Sequence, residues 1–415
     1  MIRITEYAKI IGKQDLEMLF KISSQLSGYR VKMINSTKAG GGVAEILQRM
    51  TPLLNQLGIQ TKWEIMPGEN NFFQITKKMF NLLHGAPGGL SPQEKEHFLK
   101  VNQDSSEHLN LEEDFIFIHD HQPAALIEGR NASEQKWIWR CHSDVSSPNK
   151  EVWEFLLPLV EKYDCSVFSS PAFAQSLRIP QYLIPPSIDP LSEKNKSLES
   201  EYVKAILEKH GLDIDRPILT QISRFDKLKD PLGLIEAYKM VKKSIDCQLV
   251  LCGGGATDDP EGELVLNEVK EKARGDKDIH VLYLVPGSDL EVNALQRGST
   301  IIIQKSLREG FALTVTEGLW KRKPVIASAV GGIPMQIIHN QTGILVHSIE
   351  GTAHQIKYLL THPEVAQRLG VNGYQHVLNN FLITRHVRDY ILTMLLTIRK
   401  RSDTAYLDLT TPYKN

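Results

Sequence analysis

Short apolar runs alternate with amphipathic segments along almost the whole chain, and this alternation constrains the fold more than any other feature of the sequence. Segments such as Val43–Leu57 and Val152–Tyr163 show the i, i+3, i+4 apolar spacing of helices. Strands that alternate with helices favour an α/β fold of parallel sheets with helices on both faces. In the first half, the predicted strands are Val31–Ile34, Phe115–Ile118, Trp137–Arg140, Val167–Phe168 and Tyr182–Ile184.

The second half repeats this pattern. Helices are predicted at Pro231–Lys243 and Glu291–Gly298, with apolar runs before, between and after them. The predicted strands are Ile218–Ile222, Gln248–Cys252, His280–Leu284, Thr300–Ile303, Pro324–Ala327 and Gly343–Val346. Each half therefore predicts a Rossmann-like, doubly wound domain.

A proline-rich segment separates the two halves. Pro185, Pro186 and Pro190 lie close together, and proline continues neither a helix nor a central strand. The 415 residues suit two domains of roughly 200 residues each, with their carboxyl sheet edges facing each other across a cleft. The predicted domains are 1–190, 191–385, and a C-terminal helix with a polar tail at 386–415 that packs back toward the first domain.

Charge and composition exclude several classes of function. The formal net charge of −1 gives no electrostatic footprint for nucleic acid or an anionic membrane. The start of the chain has no signal-peptide pattern, and no segment reaches the ~20 apolar residues that span a bilayer. Because Cys141, Cys165, Cys247 and Cys252 form no Cys-x-x-Cys pair, reduced thiols are favoured over a disulfide or zinc framework. We therefore expect a cytoplasmic protein.

The sharpest motif follows the predicted strand Thr300–Ile303 and runs from Glu309 to Glu317. Ligands bind at the carboxyl edge of open α/β sheets, so this position favours a ligand-binding role over a helix-surface one. Glu309 on the loop can accept hydrogen bonds from sugar hydroxyls, and Glu317 can accept both hydroxyls of a ribose. The backbone N–H groups from Gly310 to Thr314, at a helix start, are suited to a phosphate.

A second motif, Ser223-Arg224-Phe225-Asp226 with Lys229, directly follows the predicted strand Ile218–Ile222. Arg224 can hold a leaving diphosphate in bidentate fashion, and Lys229 supplies a compact positive charge. The alternative is a solvated Arg–Asp pair at the surface, which contributes about 0–1 kcal/mol. The position at a strand end favours the functional interpretation.

Two glycine-rich turns also follow predicted strands. Gly40, Gly41 and Gly42 precede the first long helix, and Ala329–Pro334 follows the strand at Pro324–Ala327. Glycines allow the backbone to approach a ligand closely, although either turn can also serve only as a connection. The first turn matches neither the dinucleotide fingerprint Gly-x-Gly-x-x-Gly nor a P-loop.

Histidine and aspartate residues end two predicted strands of the first half. His119, Asp120 and His121 follow one strand, and His142 and Asp144 follow the next. These side chains can bind sugar hydroxyls, and either aspartate can orient a histidine ring. Two alternatives stay open: a metal site formed by His119, His121 and His142, and histidines with a structural role only.

Together, these motifs resemble glycosyltransferase family 4, whose members have the GT-B fold of two Rossmann-like domains. The likeness spans about residues 15–395 and is closest to the trehalose-forming glycosyltransferring synthases. It is carried by the Glu309/Glu317 motif, the Arg224/Lys229 pair, the Gly40–Gly42 loop and the His142 segment. Within it, the stretches 35–45, 119–126, 137–149, 182–195 and 308–317 match the trehalose-forming group.

This resemblance implies a retaining transfer of glucose from a nucleoside diphosphate glucose (uridine, adenosine or guanosine) to free glucose. The product is trehalose, the reaction is reversible, and neither a metal nor another cofactor is required; a homodimer is plausible. By position, the catalytic residues are Arg224, Lys229, Glu309 and His142; the donor-binding residues are Gly41, Gly42, Gly310, Phe311, Leu313, Thr314 and Glu317; and the acceptor-binding residues are Asp120 and Asp144.

Two positions depart from the family pattern. Ala312 stands where relatives usually carry glycine, so its methyl group is expected close to the donor sugar. Asp230 likewise replaces a common glycine and is expected to add negative charge near the diphosphate.

Four other functions are alternatives. One is a different hexosyltransferase of glycosyltransferase family 4. A retaining trehalose phosphorylase would use phosphate and glucose 1-phosphate at a similar site. A nucleotide-sugar sensor would bind the donor without turnover. A nicotinamide oxidoreductase is disfavoured because the dinucleotide fingerprint is missing.

Overall fold

A computed structural model describes residues 2–38, 41–254, 262–285 and 287–398. In this part of the chain, residues 2–187 and 382–398 form one compact unit, and residues 188–381 form a second. The chain thus leaves the first unit after Ser187 and returns to it after Phe381, whereas the predicted boundaries follow residues 190 and 385. Residues 399–415 of the predicted tail lie outside the described residues.

The first unit is built on a six-stranded parallel sheet with the strand order β2-β1-β3-β4-β5-β6. Its strands are β1 Arg30–Asn35, β2 Gln60–Ile65, β3 Phe115–His119, β4 Lys136–Arg140, β5 Cys165–Phe168 and β6 Gln181–Leu183. All five residues of β3 are buried. A central parallel strand that is covered on both faces is expected to be buried in this way.

Seven helices of the first unit surround this sheet among the described residues. They are α1 Ala8–Ile11, α2 Lys13–Ser23, α3 Gly42–Gln56, α4 Asn70–Leu83, α5 Pro92–His108, α6 Lys150–Val160 and, after the return from the second unit, α15 Ile383–Ile398. Local signals explain several helix starts: Ser91 and Glu94 form a capping box at α5, and the Asn149 side chain caps α6. Helix α15 packs against α2 and α3.

The second unit also contains a six-stranded parallel sheet, in the order β12-β11-β10-β7-β8-β9. Its strands are β7 Ile218–Ile222, β8 Gln248–Gly253, β9 Ile279–Tyr283, β10 Ile301–Gln304, β11 Val325–Ser328 and β12 Ile344–Val346. Its helices, within the described residues, are α7 Ser200–Lys209, α8 Pro231–Lys242, α9 Gly262–Ala273, α10 Asp289–Gly298, α11 Leu313–Trp320, α12 Ile333–Gln336, α13 Ile349–Thr361 and α14 Pro363–Asn380.

All eleven predicted strands overlap strands of the structure, but several bounds were wrong by a residue. The predicted strand at Thr300–Ile303, for example, is shifted to Ile301–Gln304, because Thr300 lies before the ladder and its hydroxyl accepts a hydrogen bond from Ile218 N. The edge strand β2 was missed, since its partly exposed, charged sequence does not form an apolar run.

The strand orders locate two topological switch points. The chain order reverses between β1 and β3 in the first sheet, and between β7 and β10 in the second. Open α/β sheets bind ligands beyond the carboxyl ends of the strands at such points. The predicted motif at Gly40–Gly42 follows β1, and His119 is the last residue of β3, directly before Asp120. The motifs at Arg224–Lys229 and Glu309 follow β7 and β10. No described helix is long and apolar enough to cross a membrane.

Candidate active site

An ion pair joins the loops after β7 and β10. Lys229 Nζ lies 2.6 Å from Glu309 Oε2, and Ser306 Oγ donates a hydrogen bond of 3.1 Å to the same oxygen. The two backbones are also joined, because Leu307 N donates to Leu228 O at 2.8 Å. Both charged side chains are largely buried, which strengthens their attraction relative to a pair in water. The structure therefore brings two of the predicted site residues into direct contact.

Arg224 lies on the same loop as Lys229, and its side chain is 33% exposed. Its NH2 group is 3.8 Å from Asp226 Oδ2. Asp226 also accepts a hydrogen bond of 2.7 Å from Leu228 N, which caps the short helical turn Lys227–Lys229. Asp226 thus fixes the loop that carries both cations, and an accessible guanidinium on a fixed loop is suited to a diphosphate.

Asp230 has a left-handed backbone, with φ of 48° and ψ of 51°. Glycine adopts this conformation without strain, whereas Asp is one of the few other residues that visit it. Asp230 Oδ1 caps α8 by accepting from Gly233 N at 3.0 Å, and Oδ2 accepts a hydrogen bond from Lys305 Nζ. The negative charge expected from the sequence is therefore paired with Lys305.

Ala312 also has a left-handed backbone, with φ of 70° and ψ of 78°, and it stands at the N-cap position of α11. The methyl side chain of Ala312 cannot cap this helix start. The first backbone N–H groups of a helix have no partner within the helix, so those of Leu313 and Thr314 are suited to an anion. Gly310 and Phe311 lie in the loop that leads to this helix start.

The predicted turn at Ala329–Pro334 supports the Glu309 loop. Gly331 has φ of 55°, and a Cβ atom there would lie 1.6 Å from the carbonyl oxygen of Glu309. At Gly332, a Cβ atom would lie 2.5 Å from the carbonyl oxygen of Gly310. Both glycines are therefore required by the close approach of two backbones.

Phe311 takes part in the packing of the same loop. Its ring is buried against Phe381, with 5.8 Å between ring centroids. Its carbonyl oxygen accepts a hydrogen bond from Gln336, whose own amide oxygen accepts from Thr316 Oγ1 at 2.5 Å. The Phe311 ring thus packs against the last residue of the second unit.

Glu317 is buried on α11 and has partners from other elements. Gln296 Nε2 of α10 donates to Glu317 Oε2 at 2.7 Å, and Lys194 Nζ lies 3.5 Å from Oε1. Burial favours a higher pKa for Glu317, but the charges of Lys194 and Lys321 with the Gln296 hydrogen bond outweigh it and lower the pKa. Glu317 is therefore held as an anion next to two cations.

In the first unit, a hydrogen-bonded loop follows β1. Asn35 Nδ2 donates to Thr37 O at 2.7 Å, and Trp63 Nε1 donates to Asn35 Oδ1 at 2.7 Å. Gly41 precedes the first residue of α3, Gly42, and a Cβ atom at Gly41 would meet no atom within 4 Å. Packing within the described chain therefore does not explain a glycine at 41. Gly40 lies outside the described residues.

His119 and His142 form a stacked pair at the ends of β3 and β4. His119 Nδ1 lies 3.0 Å from His142 Nε2, and the ring centroids are 5.3 Å apart. Burial, followed by the nearby charge of Arg140, lowers the pKa of His119 to about 3. The same causes, with His119 and His386, lower the pKa of His142. Both rings are therefore neutral near pH 7, with one ring donating to the other.

Asp120 fixes the backbone of the segment that carries His142. Its φ is 66°, and its Oδ1 accepts hydrogen bonds from His142 N at 2.8 Å and from Ser143 Oγ at 3.3 Å. The backbone N of Asp120 donates to Arg140 O at 2.8 Å. At least one carboxylate oxygen of Asp120, which was predicted to bind the acceptor sugar, is therefore bonded to the protein itself.

His121 and Asp144 have internal partners. His121 Nε2 lies 2.9 Å from Thr76 O, and the His121 ring is buried. Asp144 is buried, and its Oδ1 accepts from Ser146 N at 3.0 Å and from Ser146 Oγ at 2.6 Å. Among the described residues, no three His, Cys, Asp or Glu side chains are grouped so as to hold a metal ion.

The sequence did not single out Arg140, the last residue of β4. Its side chain is fully buried and donates to Ser169 Oγ at 3.1 Å and to Ile184 O at 2.8 Å. Tyr390 of α15 also lies near its guanidinium. An arginine that ends an otherwise apolar strand is the one sequence signal that could have identified it.

Each half of the chain matches a family model. Residues 33–175 match the family described as trehalose synthase, N-terminal domain, and residues 203–376 match glycosyl transferases group 1.

Relatives that match most of this chain carry related names. A trehalose synthase of Pyrococcus horikoshii is 43% identical over 395 residues, which cover 94% of this chain and 95% of that protein. A trehalose synthase of Rubrobacter xylanophilus is 42% identical, with 93% and 95% covered. A trehalose phosphorylase of Pleurotus pulmonarius is 26% identical over 396 residues, which cover 82% of this chain but 54% of that protein.

Solved structures share the fold at low identity. A trehalose-6-phosphate synthase, OtsA, has a TM-score of 0.72 at 13% identity, and 88% of this chain and 99% of that chain are covered. A sucrose-phosphate synthase of Thermosynechococcus elongatus has a TM-score of 0.69 at 18% identity, with 89% and 99% covered. These structures match the two parallel six-stranded sheets described above, which is the GT-B architecture. Identity above 40% over nearly the full length of both chains shows that this chain belongs to the trehalose synthase family of GT-B glycosyltransferases.

Proposed function

We propose that the protein is a retaining hexosyltransferase that transfers glucose from a nucleoside diphosphate glucose to free glucose and so makes trehalose. The observation that carries this proposal is the contact between Lys229 and Glu309 at the switch point of the second sheet, on the loops that also bear Arg224 and the start of α11. A cation and a carboxylate side by side suit a ligand that joins a diphosphate to a sugar.

The proposed chemistry has no protein nucleophile. The bond between the anomeric carbon and the β-phosphate oxygen breaks, and a bond from that carbon to the acceptor hydroxyl oxygen forms on the same face. The proton of the acceptor hydroxyl passes to the leaving phosphate. Arg224, Lys229 and the first backbone N–H groups of α11 stabilise the charge that builds on the diphosphate. In this proposal they take the place of a metal ion.

Other side chains bind and orient the substrates in this proposal. Glu309 accepts hydrogen bonds from hydroxyls of the donor sugar, and Glu317 accepts those of the ribose. Neutral His142, whose backbone N–H is held by Asp120, is suited to bind a sugar hydroxyl. The phosphates and the sugar are thereby fixed before the acceptor attacks, which lowers the entropy cost of reaction.

The test is a screen of uridine, adenosine and guanosine diphosphate glucose with free glucose, with identification of the disaccharide and its anomeric configuration. The proposal expects α,α-linked trehalose and one equivalent of nucleoside diphosphate, with turnover unchanged by a chelator. A parallel reaction of trehalose with inorganic phosphate separates the two activities named among the relatives. Release of glucose 1-phosphate in that reaction, with no turnover of any nucleotide sugar, would show a phosphorylase instead.

A further inference from the structure

Two ion pairs join the loops after β7 and β10, and each loop contributes the cation of one pair and the anion of the other. Lys229 of the first loop pairs with Glu309 of the second, and the next residue, Asp230, pairs with Lys305. We propose that Asp230 and Lys305 are positioning residues for glucose transfer. In this role the Asp230 carboxylate holds the Lys305 ammonium, so that Lys305 does not compete with Lys229 for Glu309. This inference rests on the proposed function.

The Asp230 carboxylate is fully engaged. Oδ1 accepts from Gly233 N at 3.0 Å and Oδ2 accepts from Lys305 Nζ. Gly233 makes room for this arrangement, because a Cβ atom there would lie 2.3 Å from Asp230 Oδ2. The left-handed backbone at 230 is strained for a residue other than glycine, yet Asp tolerates it better than most. The side chain thus has two partners that a glycine at this position would leave unpaired.

Lys305 is buried at the carboxyl end of β10. The residue is 6% exposed, and its backbone N donates to Gln221 Oε1 at 3.4 Å. A buried ammonium that loses its anion is strongly destabilised and moves toward another acceptor. The next carboxylate along its own loop is Glu309, the partner of Lys229. Loss of the Asp230 charge is therefore expected to disturb the residues that hold the donor.

The two single variants change the net charge of the site in opposite directions. Their effects on nucleoside diphosphate affinity can therefore be distinguished from simple destabilisation. Asp230→Asn keeps a side-chain oxygen for the cap and tolerates the left-handed backbone, but it leaves the site one charge more positive. Lys305→Met removes the cation and leaves the site one charge more negative. The two variants should therefore shift the affinity for a nucleoside diphosphate in opposite directions, while both lower kcat.

The experiment measures the Kd of uridine, adenosine and guanosine diphosphate by calorimetry, and kcat with the preferred donor, for wild type, Asp230→Asn, Lys305→Met and the double variant. We expect kcat to fall about tenfold in each single variant and to recover to within about threefold in the double variant, because charge balance is restored. We expect the diphosphate Kd to decrease in Asp230→Asn and to increase in Lys305→Met. As a control, Lys272→Met removes a partly exposed ion pair with Glu236 and should change neither quantity.

Failure of this inference is distinguishable from failure of the proposed function. A decrease in kcat of less than threefold in the single variants, or a double variant no more active than the weaker single one, overturns the inference. If wild type makes no trehalose, the proposed function is wrong, but the Kd measurements still test the role of Asp230 and Lys305. That role is overturned if the two single variants change the diphosphate Kd in the same direction or not at all. Thermal unfolding of every variant shows that the comparisons concern folded protein.

Discussion

Lys229 Nζ lies 2.6 Å from Glu309 Oε2, so the cation proposed to hold the leaving diphosphate and the carboxylate proposed to hold the sugar neutralise each other in the free protein. Each group must share or exchange its partner when a donor binds. The pair therefore keeps two charges ordered and compensated until the ligand provides new partners.

Glu309→Gln should have opposite effects on product affinity and turnover. Lys229 loses its competing carboxylate, so a nucleoside diphosphate without sugar should bind up to about tenfold more tightly, as expected for one charge-assisted hydrogen bond. Turnover should fall by about 10²–10³ because the donor sugar loses an ionic acceptor. Calorimetry and steady-state kinetics measure the two effects, with Glu236→Gln, at a partly exposed ion pair, as the control. Weaker diphosphate binding in Glu309→Gln would contradict the exchange of partners.

Arg224→Ala should lower kcat by about 10²–10³ if its guanidinium stabilises charge on the departing diphosphate. The side chain is partly exposed, so its removal should change the free energy of unfolding by less than about 1 kcal/mol. Arg274→Ala, at an exposed site on another loop, is the matched control. Single-turnover kinetics distinguish a slower chemical step from slower product release. Near-normal turnover in Arg224→Ala would refute the role of Arg224.

Much of the fold and part of the site could be predicted from the sequence, because parallel strands that end at one sheet edge bring their following loops together. This reasoning correctly predicted two domains with parallel sheets, and the loops of Lys229 and Glu309 do meet. The GT-B fold itself was what the family resemblance implied. Strand β2 was missed since Lys62 and Glu64 of an edge strand interrupt its apolar pattern. A search for apolar runs detects buried strands, whose two faces are both apolar.

The supporting contacts of the site could not be predicted in this way. The left-handed backbones of Asp230 and Ala312 depend on how each loop enters its helix, and no local pattern indicates them. The pairing of Asp230 with Lys305 joins residues 75 positions apart. The ring of Phe311 packs against Phe381, which depends on the closure of the whole second unit. Tertiary packing decides each of these contacts.

Gly331→Ala should disrupt the Glu309 loop. Besides the left-handed φ of 55°, a Cβ atom would lie 1.6 Å from the Glu309 carbonyl oxygen, so the backbone that carries Glu309 must move. A displacement of about 1 Å at a reacting group can cost roughly 10²-fold in rate. Gly211→Ala is the matched control, because Gly211 has φ of 71° but a Cβ atom there would meet no atom within 4 Å. The control should lose about 1–2 kcal/mol of stability and no kcat.

Equal kcat values for Gly331→Ala and Gly211→Ala would show that the contact with Glu309 does not matter for turnover. Thermal unfolding of both variants separates the shared cost of a left-handed alanine from the additional cost of the clash at position 331.

Ala312→Gly should stabilise the protein, since it relieves an alanine with φ of 70°. The relief is about 1 kcal/mol, which corresponds to a Tm increase of roughly 2–4 °C for a unit of this size. Ala205→Gly, in the exposed middle of α7, should instead destabilise by about 0.5–1 kcal/mol. A lower Tm for Ala312→Gly would mean that the methyl group contributes more by packing than the backbone loses by strain. A lower KM for the donor in this variant would indicate crowding by the methyl group.

The buried histidines should make the first unit less stable in acid. The pKa of His119 is about 3 in the folded protein, against about 6.5 in the unfolded chain, and burial also lowers the pKa values of His142 and His386. Between these values the unfolded chain binds protons that the folded chain does not. Stability is therefore full above about pH 6.5 and decreases as the pH falls toward 3, with a slope of up to about 1.4 kcal/mol per pH unit for each histidine.

His119→Asn should reduce this slope by about one proton. Denaturant unfolding between pH 7.5 and 5 measures the slope for wild type and for this variant. Because burial keeps His119 neutral across this range, its ionisation should also not contribute to the pH dependence of kcat. An unchanged slope in His119→Asn would mean that His119 binds a proton as readily in the folded protein as in the unfolded chain. That result would contradict the burial of its ring against His142.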